Sequence, residues 1–167
     1  MIKYLSVAFL LICVVSLGNA QTIGGYKSGY KKQGNIVSLL TTNGEVKFEF
    51  CTPEIFRIRA SWNGKFEGQE NLMVSNYNWS LVKAKVTDKN DHFLLSTSKL
   101  SIKLYKNPFK IDVFDANGKL LSSEMSGMVK DGNAVSVSKK LAADEHFFGF
   151  GERMDFMDRR SKKVTLN

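Results

Sequence analysis

Three carboxylates lie close together near the end of the sequence, at Glu152, Asp155 and Asp158. Two carboxyl groups held at a fixed separation cleave glycosidic bonds, one acting as the acid and the other as nucleophile or base. Bases stand beside them at Arg159 and Arg160, and a nearby base keeps a carboxylate ionised and paired. We therefore favour ion pairs with the neighbouring arginines over catalysis, and we assign no catalytic residue to this chain.

The residues just before these acids predict a buried strand that leads into a tightly bent loop. Phe147, Phe148 and Phe150 form an aromatic run that Gly149 and Gly151 interrupt. Glycine adopts backbone conformations that other residues avoid, so the chain is expected to bend at both glycines. The residues expected to shape this loop are Gly149, Gly151, Glu152, Arg153, Asp158, Arg159 and Arg160.

Other familiar chemistries lack support in the sequence. His92 and His146 stand far apart and neither has partners at ligand spacing, so no metal site is expected. Serine, histidine and aspartate all occur, but without the Gly-x-Ser-x-Gly context of a hydrolase nucleophile. The pair Gly149 and Gly151 lacks the third glycine of a dinucleotide fingerprint, so no cofactor is expected either.

Three large aromatic residues are candidates for a carbohydrate platform, namely Trp62, Tyr77 and Trp79. Such a platform needs an exposed ring face on which a sugar ring can stack. Large aromatic residues in strands belong more often to the hydrophobic core. The sequence leaves both interpretations open.

The first twenty residues have the features of a secretory signal peptide. Lys3 precedes an apolar run over 5–17, and small residues stand before a cleavage site between Ala20 and Gln21. The run is too short for a membrane span, which needs about 20 apolar residues. We therefore predict a signal peptide over 1–20 and export to the periplasm or the outside of the cell, with no membrane span.

The remaining chain has the length of one domain. Its only cysteine is Cys51, so an internal disulfide is not expected. The formal net charge of the whole sequence is +8, which raises the question of a nucleic-acid partner. Lysines such as Lys83 and Lys85 alternate with apolar residues, as on the solvent face of a sheet, and no RNA-binding or DNA-binding motif is present. We expect no nucleic-acid partner.

Short segments of alternating apolar and polar residues predict a succession of strands. We expect an irregular segment over 21–34 and an all-β domain, an antiparallel β-sandwich, over 35–167. A two-residue turn is expected at Asn43-Gly44, and loops at 65–78, with a short strand near 72–74, and at 125–133. The predicted strands are 35–40, 45–51, 55–60, 79–86, 93–97, 99–105, 110–114, 119–123 and 134–139. No window carries the apolar stripe of a helix.

Several segments together resemble one known family. Residues 148–153, read with Asp158-Arg159-Arg160, are similar to the segment that closes the N-terminal β-sandwich of family 31 glycoside hydrolases, the α-glucosidase and α-xylosidase group. Residues 52–59, which end in an Arg-x-Arg pair, are similar to an earlier strand of that domain. Residues 97–119 resemble its central strands and hairpin. The three pieces occur in the same order and spacing as in the family.

The resemblance implies a galactose mutarotase-like sandwich that precedes a (β/α)8 barrel. In the family the barrel carries the catalytic aspartates, and the sequence contains no Trp-x-Asp-Met-Asn nucleophile motif. We therefore expect a non-catalytic, exported fragment of an α-glucosidase-like hydrolase, which supports a barrel that is absent here and the rim of its carbohydrate site. The alternatives are a stand-alone exported carbohydrate-binding module and a structural or adhesion domain.

Overall fold

A computed structural model of the chain describes residues 20–66, 76–150 and 157–164. Residues 1–19 of the predicted signal peptide lie outside the described residues, as does the short strand expected near 72–74. Among the loop residues singled out above, Gly151, Glu152 and Arg153 also lie outside them, together with Asp155.

The described residues form strands and irregular segments, and no helix occurs among them. The strands are β1 Gln21–Thr22, β2 Tyr26–Gln33, β3 Ile36–Thr41, β4 Gly44–Phe50, β5 Phe56–Ser61, β6 Lys85–Asp88, β7 His92–Ser96, β8 Leu100–Lys106, β9 Phe109–Asp115, β10 Leu120–Ser123, β11 Val129–Asp131 and β12 Ala134–Ser136. Within the described ranges, therefore, no helical segment could cross a membrane.

Strands β2 to β5 form a four-stranded antiparallel sheet in the order β2-β3-β4-β5. Side chains alternate between the faces of a strand, so every second residue of β4 points the same way. Val46, Phe48 and Phe50 are buried, as the alternation predicts, and Val37 and Leu39 of β3 join them. This face of the sheet forms one half of the hydrophobic core.

Strands β6 to β10 form a five-stranded antiparallel sheet in the order β10-β9-β8-β7-β6. Its buried face carries Phe93 and Leu95 of β7, Ile102 and Leu104 of β8, and Ile111 of β9. These side chains belong to the same core cluster as those of the four-stranded sheet. The prediction of an all-β antiparallel sandwich is thus confirmed, and burial of apolar surface between the two sheets is its main source of stability.

The segment 21–34, predicted to be irregular, contains strands β1 and β2, so this prediction is wrong. Strand β2 lies at the edge of its sheet and all but its first residue are exposed. An edge strand that packs only Tyr26 against the core needs no apolar alternation, and its place is set mainly by backbone hydrogen bonds to β3. Lys27, Lys31 and Lys32 and two bulges along β2 discourage pairing with another chain.

A third, small sheet has the order β1-β11-β12. It includes β11, which falls in the region 125–133 that the sequence predicts to be a loop. The predicted strand over 134–139 shortens to β12. The side chains of β12 are exposed, so its position is determined by backbone pairing with β11 and not by burial. The small sheet meets the core at Ile23, whose N–H donates to the carbonyl of Met128 at 2.9 Å.

The first hairpin turn lies one residue earlier than predicted. Thr41 pairs with Gly44, so the two turn residues are Thr42 and Asn43. Gly44 belongs to β4, and a Cβ atom at this position would lie 2.2 Å from the carbonyl oxygen of Ser61. The glycine therefore permits a close approach of β4 to β5 rather than a left-handed turn.

The segment 79–86 was predicted to be one strand, but only its last two residues belong to β6. The preceding part is held by a side chain instead of a sheet ladder. Asn35 donates through Nδ2 to the carbonyl of Ser80 at 2.8 Å and accepts the N–H of Val82 through Oδ1 at 2.8 Å. Val82 and Ala84 are nevertheless buried in the core, which accounts for the alternation in the sequence.

Candidate functional site

The loop that follows β12 carries the aromatic run singled out from the sequence. Phe147, Phe148 and Phe150 belong to no strand and are exposed, Phe148 to 63%. The predicted buried strand is therefore wrong, because the two sheets already fill the core and these rings lie outside it. Gly149 has a φ of +94°, so the bend predicted at this glycine is confirmed, while Gly151 lies outside the described residues.

Asp158 joins the two limbs of this loop. Its Oδ2 lies 2.6 Å from Nδ1 of His146, and its Oδ1 accepts the N–H of Arg160 at 2.9 Å and that of Phe147 at 3.4 Å. The bond from the Arg160 amide and the contact with His146 lower the pKa of the Asp158 carboxyl. The expected ion pair with a neighbouring arginine is wrong for Asp158. His146 and the Asp158 carboxylate, which are 12 residues apart in the sequence, are thus in direct contact.

The arginines next to Asp158 contact backbone. The guanidinium of Arg160 donates to the carbonyls of Ala142, at 2.9 Å, and Glu145. The N–H of Arg159 donates to the carbonyl of Phe147 at 2.7 Å, and its side chain is buried. The side chain of Arg159 therefore does not face solvent. Both residues thus bond the segment 159–160 to residues 142–147, where Phe147 is exposed.

Glu124 is a buried carboxyl group that the sequence analysis missed. It follows β10 and is only 6% exposed. Its Oε2 accepts the N–H of Ile111 at 3.0 Å, and its own N–H donates to the carbonyl of Ile111 at 3.0 Å. Burial raises the pKa of Glu124 to about 7, against the opposing effects of the Ile111 amide and Lys139. A lone carboxylate at a strand end belongs to no motif, so no sequence signal identifies it.

The position of Glu124 indicates a structural role. It forms an isolated bridge with Lys139, and the flanking backbone bonds join Met125 to Ser138 and Lys140 to Ser123. The carboxyl group thus lies where β9, the end of β10 and residues 138–140 meet. A pKa near 7 suits a general acid, but this carboxyl group is enclosed against β9 and hydrogen-bonded to it. The carboxyl group is therefore not accessible to a substrate.

The three aromatic candidates do not form one platform. Trp62 packs partly against the core and lines a cavity of about 390 Å³ with Asn63 and Asn133. Tyr77 and Trp79 both line another cavity of about 340 Å³, and the guanidinium of Arg57 lies 5.3 Å from the Tyr77 ring centroid. Trp79 also lines a cavity of about 620 Å³. Two of the three residues are therefore neighbours, and Trp62 lies elsewhere.

No group of three or more histidine, cysteine, aspartate or glutamate side chains is placed to hold a metal ion in the described part of the chain. Each histidine contacts a carboxylate instead. Nδ1 of His92 lies 2.8 Å from Oδ1 of Asp91, and His146 contacts Asp158 as described above. Cys51 is a free thiol whose pKa is raised by burial and by Glu49.

The fold and the loop define a class of protein, an antiparallel β-sandwich domain that presents a structured loop with exposed aromatic rings. Residues 45–167 match the family described as the glycosyl hydrolase 31 N-terminal galactose mutarotase-like domain. The chain belongs to this family of domains. The resemblance found in the sequence is thus confirmed.

Similar proteins are much longer enzymes. Alpha-glucosidase 2 of Bacillus thermoamyloliquefaciens is 27% identical over 154 residues, which are 91% of this chain and 19% of that protein. The isomaltosyltransferase of Sporosarcina globispora is 27% identical over 136 residues, 74% of this chain and 12% of that protein. The chain therefore spans less than a fifth of the length of these curated relatives.

Solved structures agree with the fold. A family 31 dextranase of Flavobacterium johnsoniae is 30% identical with a TM-score of 0.75, over 85% of this chain and 18% of the dextranase. An α-xylosidase of Xanthomonas citri is 20% identical with a TM-score of 0.65, over 80% of this chain and 16% of that enzyme. At this lower identity the second likeness shows the fold alone.

Proposed function

We propose that this chain is the non-catalytic N-terminal sandwich of an exported family 31 glycoside hydrolase that acts on α-glycosides. Its role is to support a catalytic barrel and the rim of the carbohydrate site. The match of residues 45–167 to the N-terminal domain of this family carries the proposal. The alpha-glucosidase, isomaltosyltransferase and dextranase named above support the substrate class.

An exposed apolar surface supports the proposed partner. It consists of Met125, Val137, Leu141, Phe148 and Met157, and we call it the apolar edge surface. Backbone bonds pair the segments that carry these side chains, because residue 125 bonds to 138, residue 140 to 123, and residue 159 to 147. Met157 is 81% exposed and Phe148 is 63% exposed. Large exposed apolar side chains on paired segments are typical of an interaction surface, and a barrel would bury them.

The carboxyl groups described above support a non-catalytic role. Retaining cleavage of a glycoside needs two carboxyl groups about 5 Å apart on either side of the bond. Glu124 is enclosed against β9, and Asp158 is engaged by His146 and two backbone amides. Glu124 is thus buried, and Asp158 already accepts bonds from residues of its own loop. The purified chain is therefore expected not to hydrolyse 4-nitrophenyl α-glucoside or α-xyloside, and turnover that Glu124→Gln or Asp158→Asn removes would contradict the proposal.

A chimera tests the supporting role directly. Residues 21–167 replace the matching N-terminal part of the Flavobacterium johnsoniae dextranase, and the chimera is expected to fold and hydrolyse dextran. Introducing Phe148→Asp and Met157→Asp together should lower its activity or yield at least about tenfold, because each change buries a charge in the interface. The control is Ile55→Asp, an exposed apolar position outside the apolar edge surface. Equal losses in both variants, or an inactive chimera that is well folded, would overturn the proposal.

Export is part of the proposal and has its own measurement. Expressed with residues 1–20 in a bacterial host, the chain should be recovered outside the cytoplasm. Mass spectrometry of the intact protein should give a mass that begins at Gln21, because small residues stand before the cleavage site after Ala20. A chain that keeps Met1 and stays in the cytoplasm would contradict this part of the proposal and leave the rest intact.

A further inference from the structure

A cavity of about 620 Å³ opens at one end of the sandwich. Three segments form its walls: the connection from β4 to β5 near Thr52, the connection from β7 to β8 at Ser98, and residues 78–83 ahead of β6. The two sheets thus contribute to one depression. Its volume lies within the range of about 300–1,000 Å³ that is usual for small-ligand sites.

Side-chain hydrogen bonds fix these walls relative to one another. The hydroxyl of Thr97 donates to the carbonyl of Pro53 at 2.6 Å, which ties the connection after β7 to the one after β4. Asn35 holds the backbone of Ser80 and Val82 through the two bonds described above. The protein's own bonds therefore fix the walls, and binding requires little ordering of the protein.

The lining is mostly apolar, with a few polar groups at the mouth. Trp79 and Leu81 contribute apolar area, and Asn78, Lys83 and Ser98 are exposed polar residues at the opening. None of the described residues that line it carries a carboxylate, which disfavours a cation. An indole beside an amide and a hydroxyl fits a neutral ring that bears many hydroxyl groups, since such a ring has an apolar face and polar edges.

The cavity lies at the opposite edge of the five-stranded sheet from the apolar edge surface. Its walls adjoin β6 and β7, whereas the apolar edge surface adjoins β10, and these strands stand at the two ends of the order β10-β9-β8-β7-β6. A partner that covers the β10 edge leaves this cavity open to solvent.

We propose that this cavity binds a short neutral α-gluco-oligosaccharide. The cavity and its chemistry are independent of the proposed function, and the choice of α-linked glucose rests on it. A shallow, mostly apolar site with few hydrogen-bonding groups gives weak binding, with a Kd of about 1 mM. Such a site would hold a polysaccharide chain against the sandwich.

The two tryptophans of the chain permit a direct test by NMR. Isomaltotriose and maltotriose are titrated into the full chain while the two indole N–H resonances are followed, assigned with Trp62→Phe. The resonance of Trp79 is expected to shift and saturate, and that of Trp62 to stay in place. Shifts of both resonances, or of Trp62 alone, would contradict the site.

Variants at exposed positions separate binding from folding. Ser98→Trp fills the mouth of the cavity and should weaken binding at least about tenfold, as should Asn78→Ala. Ser28→Trp is the matched control, because it places the same side chain at an exposed serine on β2 and should leave binding unchanged. Binding that survives Ser98→Trp overturns the proposal.

The outcomes also distinguish failure of the cavity proposal from failure of the proposed function. If neither trisaccharide binds while the dextranase chimera is active, the cavity proposal fails and the proposed function stands. If xylo-oligosaccharides bind at Trp79 and the glucose trisaccharides do not, the assignment to α-linked glucose is wrong.

Discussion

Raising the pH from 5 to 8 is expected to lower the free energy of unfolding, and Glu124→Gln is expected to remove most of this loss. The pKa of Glu124 rises from an ordinary 4.5 to about 7 in the folded chain. Between these values the folded state binds the proton more tightly than the unfolded state, so stability falls as the pH rises through 7. The difference between the two pKa values corresponds to a loss of about 3 kcal/mol in the free energy of unfolding at most.

The surroundings of Glu124 explain the direction of this effect. Burial opposes the charged form, and Asp112 adds to this, while the Ile111 amide and Lys139 favour the charged form but only partly compensate. A glutamine can accept the same bond from Ile111 without carrying a charge. Denaturant unfolding at pH 5, 6, 7 and 8 measures the effect for both proteins.

The matched control for this experiment is Glu54→Gln, at an exposed glutamate whose carboxylate lies 3.7 Å from Lys99. This variant should keep the pH dependence of the original chain. A flat profile in the unmodified chain, or the same slope in Glu124→Gln, would show that the buried carboxyl does not change its protonation between the folded and unfolded states in this range.

The core of the sandwich could be predicted from the sequence because burial imposes a period of two. Val46, Phe48 and Phe50 show this period, and all three are buried. Strand β2 could not be found in the same way, since most of its side chains face solvent and only Tyr26 packs against the core. Gly44 was assigned to the turn because Asn-Gly is a strong turn signal, although its role is to let β4 approach Ser61.

The candidate site was less predictable, because it depends on contacts between residues far apart in the sequence. The contact of His146 with Asp158 and the bonds from Arg160 to Ala142 and Glu145 have no local signature. The aromatic run 147–150 is apolar enough for a core strand. Sequence hydrophobicity alone does not tell whether a residue packs inside its own domain or faces a partner.

Two phenylalanines allow a test of whether a side chain packs inside the domain or faces a partner. The first of them gives the largest expected change in stability. Phe48→Ala is expected to cost about 3–5 kcal/mol, because Phe48 is fully buried and its removal leaves a cavity between the sheets. A domain of this kind has a total stability of about 5–15 kcal/mol, so the variant should be partly or largely unfolded at 37 °C. Thermal and denaturant unfolding followed by circular dichroism measure the change.

Phe148→Ala is the matched comparison, with the same change at a side chain that is 63% exposed. In the isolated chain it should cost no more than about 1 kcal/mol, because the side chain is mostly exposed and its ring contact is with His146, at 6.3 Å between the ring centroids. In the dextranase chimera the same change should lower stability or activity, since the proposed contact with the barrel would bury the ring there. A cost of several kcal/mol in the isolated chain would mean that Phe148 packs within the sandwich, and the apolar edge surface would then lose one of its members.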